Sequence, residues 1–445
     1  MAEVLLQEIG RPPGPEMENS NDRESYSLAA GLALGLVLFG RGGEAAGFTD
    51  LNIAGELYHY IEGGHKKPLL GVHKDKYKSP SYQIKEGDCV NIDVTAPGAT
   101  LALGMIYFRS NNKAIAEWMV APSTPYLLDQ VRPDFLLLRT IALGLIMWDN
   151  VLPTSKWIES HVPSTVLTHV HRGGSQSTPG IDYESMHQIL WKYTRMFTSF
   201  TKRSVAELAG KSTIETCLNV ILLSLSMVMA GTGDLDVLRI IRYLRSRVGP
   251  SNSTVGYGSH LTIHMALGFL FLGGGRFSLS TSNMAIAALL IACFPKFPTH
   301  SNDNRYHLQA LRHLYVLAAE PRLLIPVDVD TGRLCQVHVS VRFKDTDQYR
   351  SQTFEAMAPL MLPELSKLSQ VVIEEDSANH RYWPVWFSAH NKTWSVLETL
   401  LRSGEGLAVK LKDGRYPYGD APSGFQVQLA HLLTQDKSAR WTMKR

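Results

Sequence analysis

Two pairs of histidines are the candidates for metal chemistry in this sequence. His169 and His171 place two imidazoles close together, and His260 and His264 lie one helical turn apart. A protein metal site normally adds cysteine or carboxylate ligands at a fixed spacing, and these pairs have none beside them. A surface position for the first pair and a core or interface position for the second are the favoured interpretation. We therefore predict no metal ligand.

Cysteine could supply a thiolate nucleophile, a zinc ligand or a disulfide. The four cysteines lie far apart, without CxxC spacing, at Cys89, Cys217, Cys293 and Cys335. Cys217 and Cys293 fall within apolar runs, where a thiol is normally inert. The pattern predicts a protein of a reducing compartment without a disulfide framework or a structural zinc.

Glycine clusters raise the question of phosphate binding. Gly273–Gly275 lacks the Gly-Lys-Ser/Thr that completes a phosphate loop, and it follows a helical pattern instead of a strand. Gly231–Gly233 fails in the same way, and neither GxSxG nor HExxH occurs in the sequence. We predict no catalytic residue, no cofactor and no cofactor-binding residue. Ser79, which precedes a proline, is a candidate acceptor for a proline-directed kinase.

Composition narrows the class of protein. The 445 residues are 44% apolar and 19% charged with a net charge of +3, which excludes a disordered chain and gives no bulk attraction to nucleic acid. The start of the chain lacks the pattern of a secretory signal. The apolar runs Leu28–Phe39, Cys217–Ala230 and Met284–Phe294 are shorter than the roughly 17 to 25 residues that cross a bilayer. A membrane protein is not the favoured interpretation.

The apolar runs contain an internal repeat. Each copy reads small residue, leucine, small residue and two apolar residues, and the copies begin at Ala33, Ala102, Ala142, Ser224 and Ala266. The second small residue recurs at intervals of 69, 40, 82 and 42 positions. These intervals indicate a unit of about 40 residues, with one insertion and one unit that has lost its signature. Such a period is typical of helix-pair solenoids.

Each unit is predicted to contain an inner and an outer helix. The inner helix is apolar nearly all round, so protein must surround it, and its small residues let neighbouring backbones approach closely. Gly268→Leu should therefore overpack a tight contact and cost roughly 1 to 3 kcal/mol. The outer helices are predicted over Leu51–Ile61, Leu235–Val248 and Met284–Phe294, with N-caps at Asp50, Asp234 and Ser282.

Two segments have the period of β-strands instead. Residues 82–88 and 90–95 alternate polar and apolar side chains around a turn at Gly87 and predict a β insertion over residues 64–98 of the array. The basic run of this insertion, from His65 to Lys78, is interpreted as a solvated loop. After a helix that ends before Pro321, strand-like runs predict a small β-rich domain over residues 321–425. These runs are Ile325–Asp330, Cys335–Phe343, Val371–Glu374, Tyr382–Phe387 and Leu407–Leu411.

Three stretches, Met265–Asn283, Asn304–Arg322 and Tyr82–Asp88, carry a resemblance that extends from about residue 25 to about residue 362. The chain resembles the largest scaffold subunits of the anaphase-promoting complex, or cyclosome, which contain proteasome/cyclosome repeats. The resemblance implies a non-catalytic platform in a cell-cycle ubiquitin ligase of the nucleus and cytoplasm. The partners it implies are a coactivator and the cullin-like, RING and tetratricopeptide-repeat subunits, without nucleic acid or membrane.

The chain also departs from the family pattern. The family's large N-terminal β-rich portion is missing, and Ser226 stands where glycine is usual. The stretch between Gly144 and Ser226 lacks a recognisable repeat. We expect a fragment or variant of such a subunit.

The sequence as a whole predicts a mainly α protein. A helix-pair repeat solenoid, an arc or partial toroid, is expected over residues 27–320, interrupted by the β insertion 64–98 and followed by the β-rich domain. Residues 1–26 are expected to be a flexible lead-in, and residues 426–445 a divergent tail. The alternatives are a scaffold subunit of the proteasome regulatory-particle base, a membrane-embedded helical protein and, third, an enzyme.

Overall fold

The computed structural model describes residues 1–44, 49–68, 79–152, 154–161, 190, 210–303, 309–346, 352–374 and 381–412. The chain divides into two compact units. The helical unit comprises Met1–Met229, Asp234–Phe269 and Thr281–Ala318. The β-rich unit comprises Ala230–Gly233, Leu270–Ser280 and Ala319–Arg445.

All five copies of the repeated motif lie in α-helices of the helical unit, as their apolar pattern predicts. These inner helices are α2 (Ser20–Val37), α4 (Ile92–Ile106), α7 (Pro133–Ile146), α9 (Lys211–Val228) and α11 (Tyr257–Leu270). The other described α-helices of this unit are α1 (Ala2–Ile9), α3 (Ile53–Glu62), α5 (Lys113–Met119), α6 (Pro125–Gln130), α8 (Ser155–His161), α10 (Leu235–Arg245) and α12 (Asn283–Ala292).

The N-terminal segment is helical, which corrects the expectation of a flexible lead-in over residues 1–26. α1 buries Ala2, Leu6 and Ile9 in the core of the helical unit. α2 begins at Ser20 because Asn19 and Asp22 form a capping box, in which each side chain accepts a hydrogen bond from the other residue's backbone N–H. The polar residues that suggested disorder serve as caps.

Two of the three predicted N-caps are confirmed. The Asp234 side chain accepts from Val237 N–H at 2.9 Å, and that of Ser282 accepts from Ala285 N–H at 3.3 Å. The prediction for Asp50 is wrong, because α3 starts after Asn52, whose φ of 42° places it in the left-handed region. Of the outer helices, α10 has the clearest amphipathic spacing and buries Val237, Ile241 and Leu244.

The predicted β insertion over residues 64–98 is also corrected. Its described residues contain one isolated β-bridge, between His65 and Cys89, and residues 69–78 lie outside the described part. Residues 92–98 form the first turns of α4, in which Val94 and Ala96 are buried together with Ala99. Six alternating residues cannot distinguish a strand from the start of a helix that is buried all round.

Successive inner helices of the first half pack against each other. α2 contacts α4, and α4 contacts α7, around one core to which α1, α3 and α5 contribute. A second cluster joins Ile291 of α12 and the following Phe294 to Leu32 of α2 and Leu101 of α4. In an open array each unit contacts only its neighbours, so this long-range cluster goes beyond the predicted pattern.

The β-rich unit contains a four-stranded antiparallel sheet in the order β6 (Thr353–Ala358), β5 (Val337–Phe343), β8 (Leu368–Ile373) and β9 (Val385–Ser388). Val337, Val339 and Val341 of β5 point into its core, and Leu397 and Leu401 of helix α13 (Thr393–Ser403) join the same core. The shorter pairs are β1 (Phe277–Leu279) with β2 (Ala319–Pro321), β3 (Leu323–Leu324) with β7 (Leu360–Met361), and β4 (Pro326–Asp328) with β10 (Leu407–Val409).

The sequence located five of these strand regions, but it missed β1, β2, β3, β6 and β7 and the helix α13. The helix predicted to end before Pro321 is a 3-10 helix, Ala310–Ala318, and Pro321 itself lies in β2. Only Arg312 and Ala318 are buried in this short helix, and two buried positions are too few to define a helical period. The predicted tail, residues 426–445, lies outside the described part.

One helix of the described part, α9, is long and apolar enough to span a membrane. It carries a buried Glu215 and a buried Asn219, which are costly in hydrocarbon. Leu218, Leu222 and Leu225 of α9 are also buried within the helical unit. These features are those of a core helix.

Candidate functional site

α2 and α4 cross at a tight contact where two glycines face each other. A Cβ atom on Gly31 would lie 2.4 Å from the carbonyl oxygen of Gly98, and one on Gly98 would lie 2.7 Å from the carbonyl oxygen of Ser27. Only glycine allows backbones to approach so closely. The repeated motif did not reveal this pair, because both glycines precede it in their helices.

Two glycines of the repeated motif lie at tight contacts, as predicted. A Cβ atom on Gly35 would lie 3.2 Å from Ala102 Cα, and one on Gly104 would lie 2.8 Å from Ala142 Cα. The second small residue of one copy thus meets the first small residue of the next. This repeated contact sets the spacing of α2, α4 and α7.

Gly144 and Gly268 do not lie at tight contacts. In the described part of the chain, no heavy atom comes within 4 Å of the Cβ position of either residue. The prediction that Gly268→Leu overpacks a helix contact is therefore wrong. Shared sequence pattern does not ensure shared surroundings, because the neighbour of each copy differs.

A hydrogen bond also repeats between consecutive copies. Gly40 N–H donates to Met105 O at 2.9 Å, and Arg109 N–H donates to Leu145 O at 3.0 Å. Gly40 and Arg109 both stand five positions after the second small residue and have positive φ values, of 69° and 58°. Glycines occupy this position in two other copies, Gly231 and Gly273, with φ of 78° and 57°. The equivalence of Arg109 was hidden because its residue type does not indicate a left-handed backbone.

Contacts of its side chain hold Arg109 in this conformation. Its guanidinium donates from Nη2 to Thr281 O at 3.1 Å and lies over the rings of Phe108 and Trp148. A non-glycine residue at positive φ is strained by roughly 1 to 2 kcal/mol. The polar and cation–π contacts offset that cost.

Ser226, the residue that replaces the usual glycine, is fully buried. Its Oγ has no hydrogen-bond partner among the described residues. Because an unsatisfied buried hydroxyl costs about 1 to 3 kcal/mol, Ser226→Ala should stabilise the chain by about 1 kcal/mol in urea unfolding. The control is Ser224→Ala in the same helix, since Ser224 Oγ donates to Val220 O at 2.9 Å. Equal destabilisation by both changes would contradict the prediction.

Arginines of α10 and its C-terminal extension have two different surroundings. Arg247 donates two hydrogen bonds of 2.8 Å to the buried Glu215 of α9. Arg239, by contrast, has an exposed side chain that pairs with Asp236. Arg239 therefore lies on a solvated face of α10, whereas Arg247 ties the end of this segment to α9.

Arg312, in the 3-10 helix Ala310–Ala318, has a buried guanidinium. Its guanidinium donates to the carbonyl oxygens of Ala292, Phe294 and Lys296, which lie at and beyond the end of α12. It also stacks over the Phe297 ring at 4.1 Å. Burial lowers the pKa of Arg312 to about 10. Carbonyl groups at a helix C-terminus stabilise such a cation.

An open groove of about 480 Å³ lies between α11 and the 3-10 helix Ala310–Ala318. Its walls include Tyr257, Leu261, His264, Gly268 and Tyr315. His264 and Gly268 are both exposed in this groove. A concave and mainly apolar surface of this kind can accept an apolar side chain of another protein.

The other candidate residues do not come together. His169, His171 and residues 162–189 and 191–209 of the diverged repeat lie outside the described residues. Within the described ranges there is no group of three or more histidine, cysteine, aspartate or glutamate residues arranged to hold a metal ion. Each cysteine is a free thiol, and burial raises the pKa of Cys293 to about 12, so that it stays protonated. Ser79 is exposed.

Comparison with known proteins covers both units. A family model described as APC1 fifth domain matches residues 1–320, and one described as APC1 beta sandwich domain matches residues 322–412. Anaphase-promoting complex subunit 1 of Homo sapiens is 49% identical over 98% of this chain, and that of Arabidopsis thaliana is 36% identical over 86%. A protein of Emericella nidulans named negative regulator of mitosis is 35% identical over 97%.

The chain spans 24%, 25% and 21% of the lengths of these three relatives. The match to the second family model supports the prediction of a separate β-rich domain after the helices. Identity at this level over nearly the whole chain confirms the resemblance found in the sequence. The chain therefore belongs to the family of anaphase-promoting complex subunit 1.

Proposed function

We propose that this chain is a non-catalytic scaffold segment of an anaphase-promoting complex, a ubiquitin ligase of the cell cycle. The observation that carries the proposal is the family match through both units, over residues 1–320 and 322–412. In the described part of the helical unit, buried glycines, arginines and apolar side chains take part in helix packing. Such an arrangement suits a rigid platform.

The helical unit is proposed to be a helix-pair repeat array of the proteasome/cyclosome type. Its support is the repeated contact of Gly35 with Ala102 and of Gly104 with Ala142. The hydrogen bonds of Gly40 and Arg109, which recur at equivalent positions of consecutive copies, are a second and independent sign of the repeat. The contact of α12 with α2 and α4 would then join distant repeats of one array.

The proposed partners are the cullin-like, RING and tetratricopeptide-repeat subunits of the complex and its coactivator. The proposed locations are the nucleus and the cytoplasm. The name of these relatives, anaphase-promoting complex subunit 1, supports the first proposal because it refers to an assembly. The groove beside Gly268 offers one surface where a partner could contact the helical unit.

Affinity purification of the tagged chain from dividing cells, followed by mass spectrometry, tests the proposal. We expect enrichment of several subunits of the complex over a tag-only control. A matched variant is Gly31→Ala, whose weakened packing of α2 on α4 should reduce the recovery of these partners. Soluble, folded wild-type chain that retains none of the subunits would contradict the scaffold role. Recovery of proteasome base subunits instead would favour the alternative scaffold, which the family match makes the weaker candidate.

A further inference from the structure

A small polar cavity lies where α1, α2, α3 and the start of α4 meet the segment before α4. Its volume is about 80 Å³, and its walls include Gln7, Arg23, His59, Lys67 and Glu86. Arg23 is 1% exposed, so the inner end is buried. The Lys67 side chain is 55% exposed, which places the mouth of the cavity at the protein surface.

Three buried polar atoms on these walls are poorly satisfied. Gln7 Oε1 and His59 Nε2 have no hydrogen-bond partner among the described residues, and Arg23 Nε has only a long contact of 3.5 Å with Glu86 Oε1. Buried polar side-chain atoms in proteins are nearly always hydrogen-bonded. Because these three atoms line one cavity, they indicate a polar occupant with several hydrogen-bonding groups.

The charges on the walls indicate that this occupant is an anion. Arg23, Lys66 and Lys67 are cationic, whereas Glu56 and Glu86 are anionic, which leaves one net positive charge. Both carboxylates already have lysine partners, through the ion pairs of Lys66 with Glu86 and of Lys67 with Glu56. An entering anion would therefore meet carboxylates whose charge is compensated.

Arg23 is the least compensated of the three cations. Its Nε lies 3.5 Å from a Glu86 oxygen, whereas Lys66 Nζ lies 2.9 Å from the other oxygen of that carboxylate. Arg23 Nη1 reaches only the Ile9 carbonyl oxygen, at 3.4 Å. Burial lowers the pKa of this guanidinium. A buried cation with long contacts is stabilised by a further anionic acceptor.

We propose that this cavity binds a phosphate group, either as free phosphate or at the end of a phosphate monoester. Phosphate oxygens would accept from Arg23 Nε–H and from the lysine ammonium groups, and a protonated oxygen would donate to Gln7 Oε1. His59 Nε2 can serve as donor or acceptor, according to its tautomer. An ester would extend through the mouth beside Lys67. This assignment does not depend on the scaffold role.

Isothermal titration of the whole chain at constant ionic strength tests the site, with inorganic phosphate, phosphoserine and chloride as separate ligands. We expect saturable binding of inorganic phosphate or phosphoserine and no binding of chloride. Tighter binding of phosphoserine would identify a monoester as the natural source, and tighter binding of inorganic phosphate would identify the free ion. Binding of neither would overturn the proposal and indicate a cavity filled by water only.

Two variants assign the binding to this cavity. Lys67→Ala removes a half-exposed cation at the mouth and should weaken phosphate binding about tenfold, the effect of one charged hydrogen bond. Gln7→Met removes the buried acceptor and should weaken it severalfold. Lys113→Ala, an exposed lysine at the start of α5, is the matched control and should leave binding unchanged. Equal affinity of the wild type and both cavity variants would refute the assignment.

Discussion

Gly31→Ala is expected to destabilise the helical unit by about 3 kcal/mol, at the upper end of the cost of overpacking a core. The added Cβ would lie 2.4 Å from the Gly98 backbone, which belongs to a neighbouring helix and cannot rotate away as a side chain can. α2 and α4 would have to separate, and the Gly35 contact with Ala102 would open with them. Urea unfolding followed by circular dichroism measures the loss.

The matched control is Gly268→Ala, an identical change in the equivalent helix α11. No heavy atom of the described residues lies within 4 Å of its Cβ position, and Gly268 is exposed. Alanine is favoured over glycine inside a helix by about 1 kcal/mol, so this variant should be stabilised. Destabilisation of similar size in both variants would mean that the two positions have the same surroundings, against the structure.

Arg312→Met is the second change with a large expected effect, a loss of about 4 kcal/mol. It would leave the carbonyl oxygens of Ala292 and Lys296 without the guanidinium donor, and each unsatisfied group costs about 1 to 3 kcal/mol, whereas the Phe294 carbonyl keeps a hydrogen bond from Lys296 N–H. The stacking of Arg312 on Phe297 would be lost as well. Methionine keeps much of the volume, so the effect reports the hydrogen bonds. Urea unfolding followed by circular dichroism again gives the free energy.

Arg312→Lys separates charge from geometry. Lysine keeps the positive charge but cannot place donors on three carbonyl groups in the plane of a guanidinium, so we expect it to recover less than half of the loss. Arg239→Met is the control at an exposed arginine, whose side chain is 75% exposed, and should change stability by less than about 0.5 kcal/mol. Full rescue by lysine would show that only the charge of Arg312 matters.

Much of the helical unit could be predicted because the inner helices have two independent signals, all-round apolarity and small residues at a fixed place. These signals located α2, α4, α7, α9 and α11. The N-caps Asp234 and Ser282 could also be predicted, since a side-chain oxygen just before an apolar run commonly caps the start of a helix. The β-rich domain was recognisable from its turns and strand-like runs.

The errors share a physical cause. A local sequence pattern does not determine which other part of the chain packs against it. The motif around Gly268 matches that around Gly104, yet only Gly104 meets another backbone. Similarly, the sequence does not indicate that Arg109 occupies a position of positive φ, because the contacts that hold it come from Thr281 and Trp148. The polar cavity was missed because its walls come from four separate helices and a loop.

The cluster that joins α12 to α2 and α4 cannot form during biosynthesis until the ribosome has synthesised α12. About 260 residues separate Leu32 from Ile291. A ribosome that adds roughly 5 to 20 residues per second needs about 13 to 50 s to cover that distance. Throughout this interval, the apolar side of α2 that α12 later covers stays open to water and to other nascent chains. The ribosome-bound intermediate thus presents a surface that chaperones can bind, long before the fold that hides it is complete.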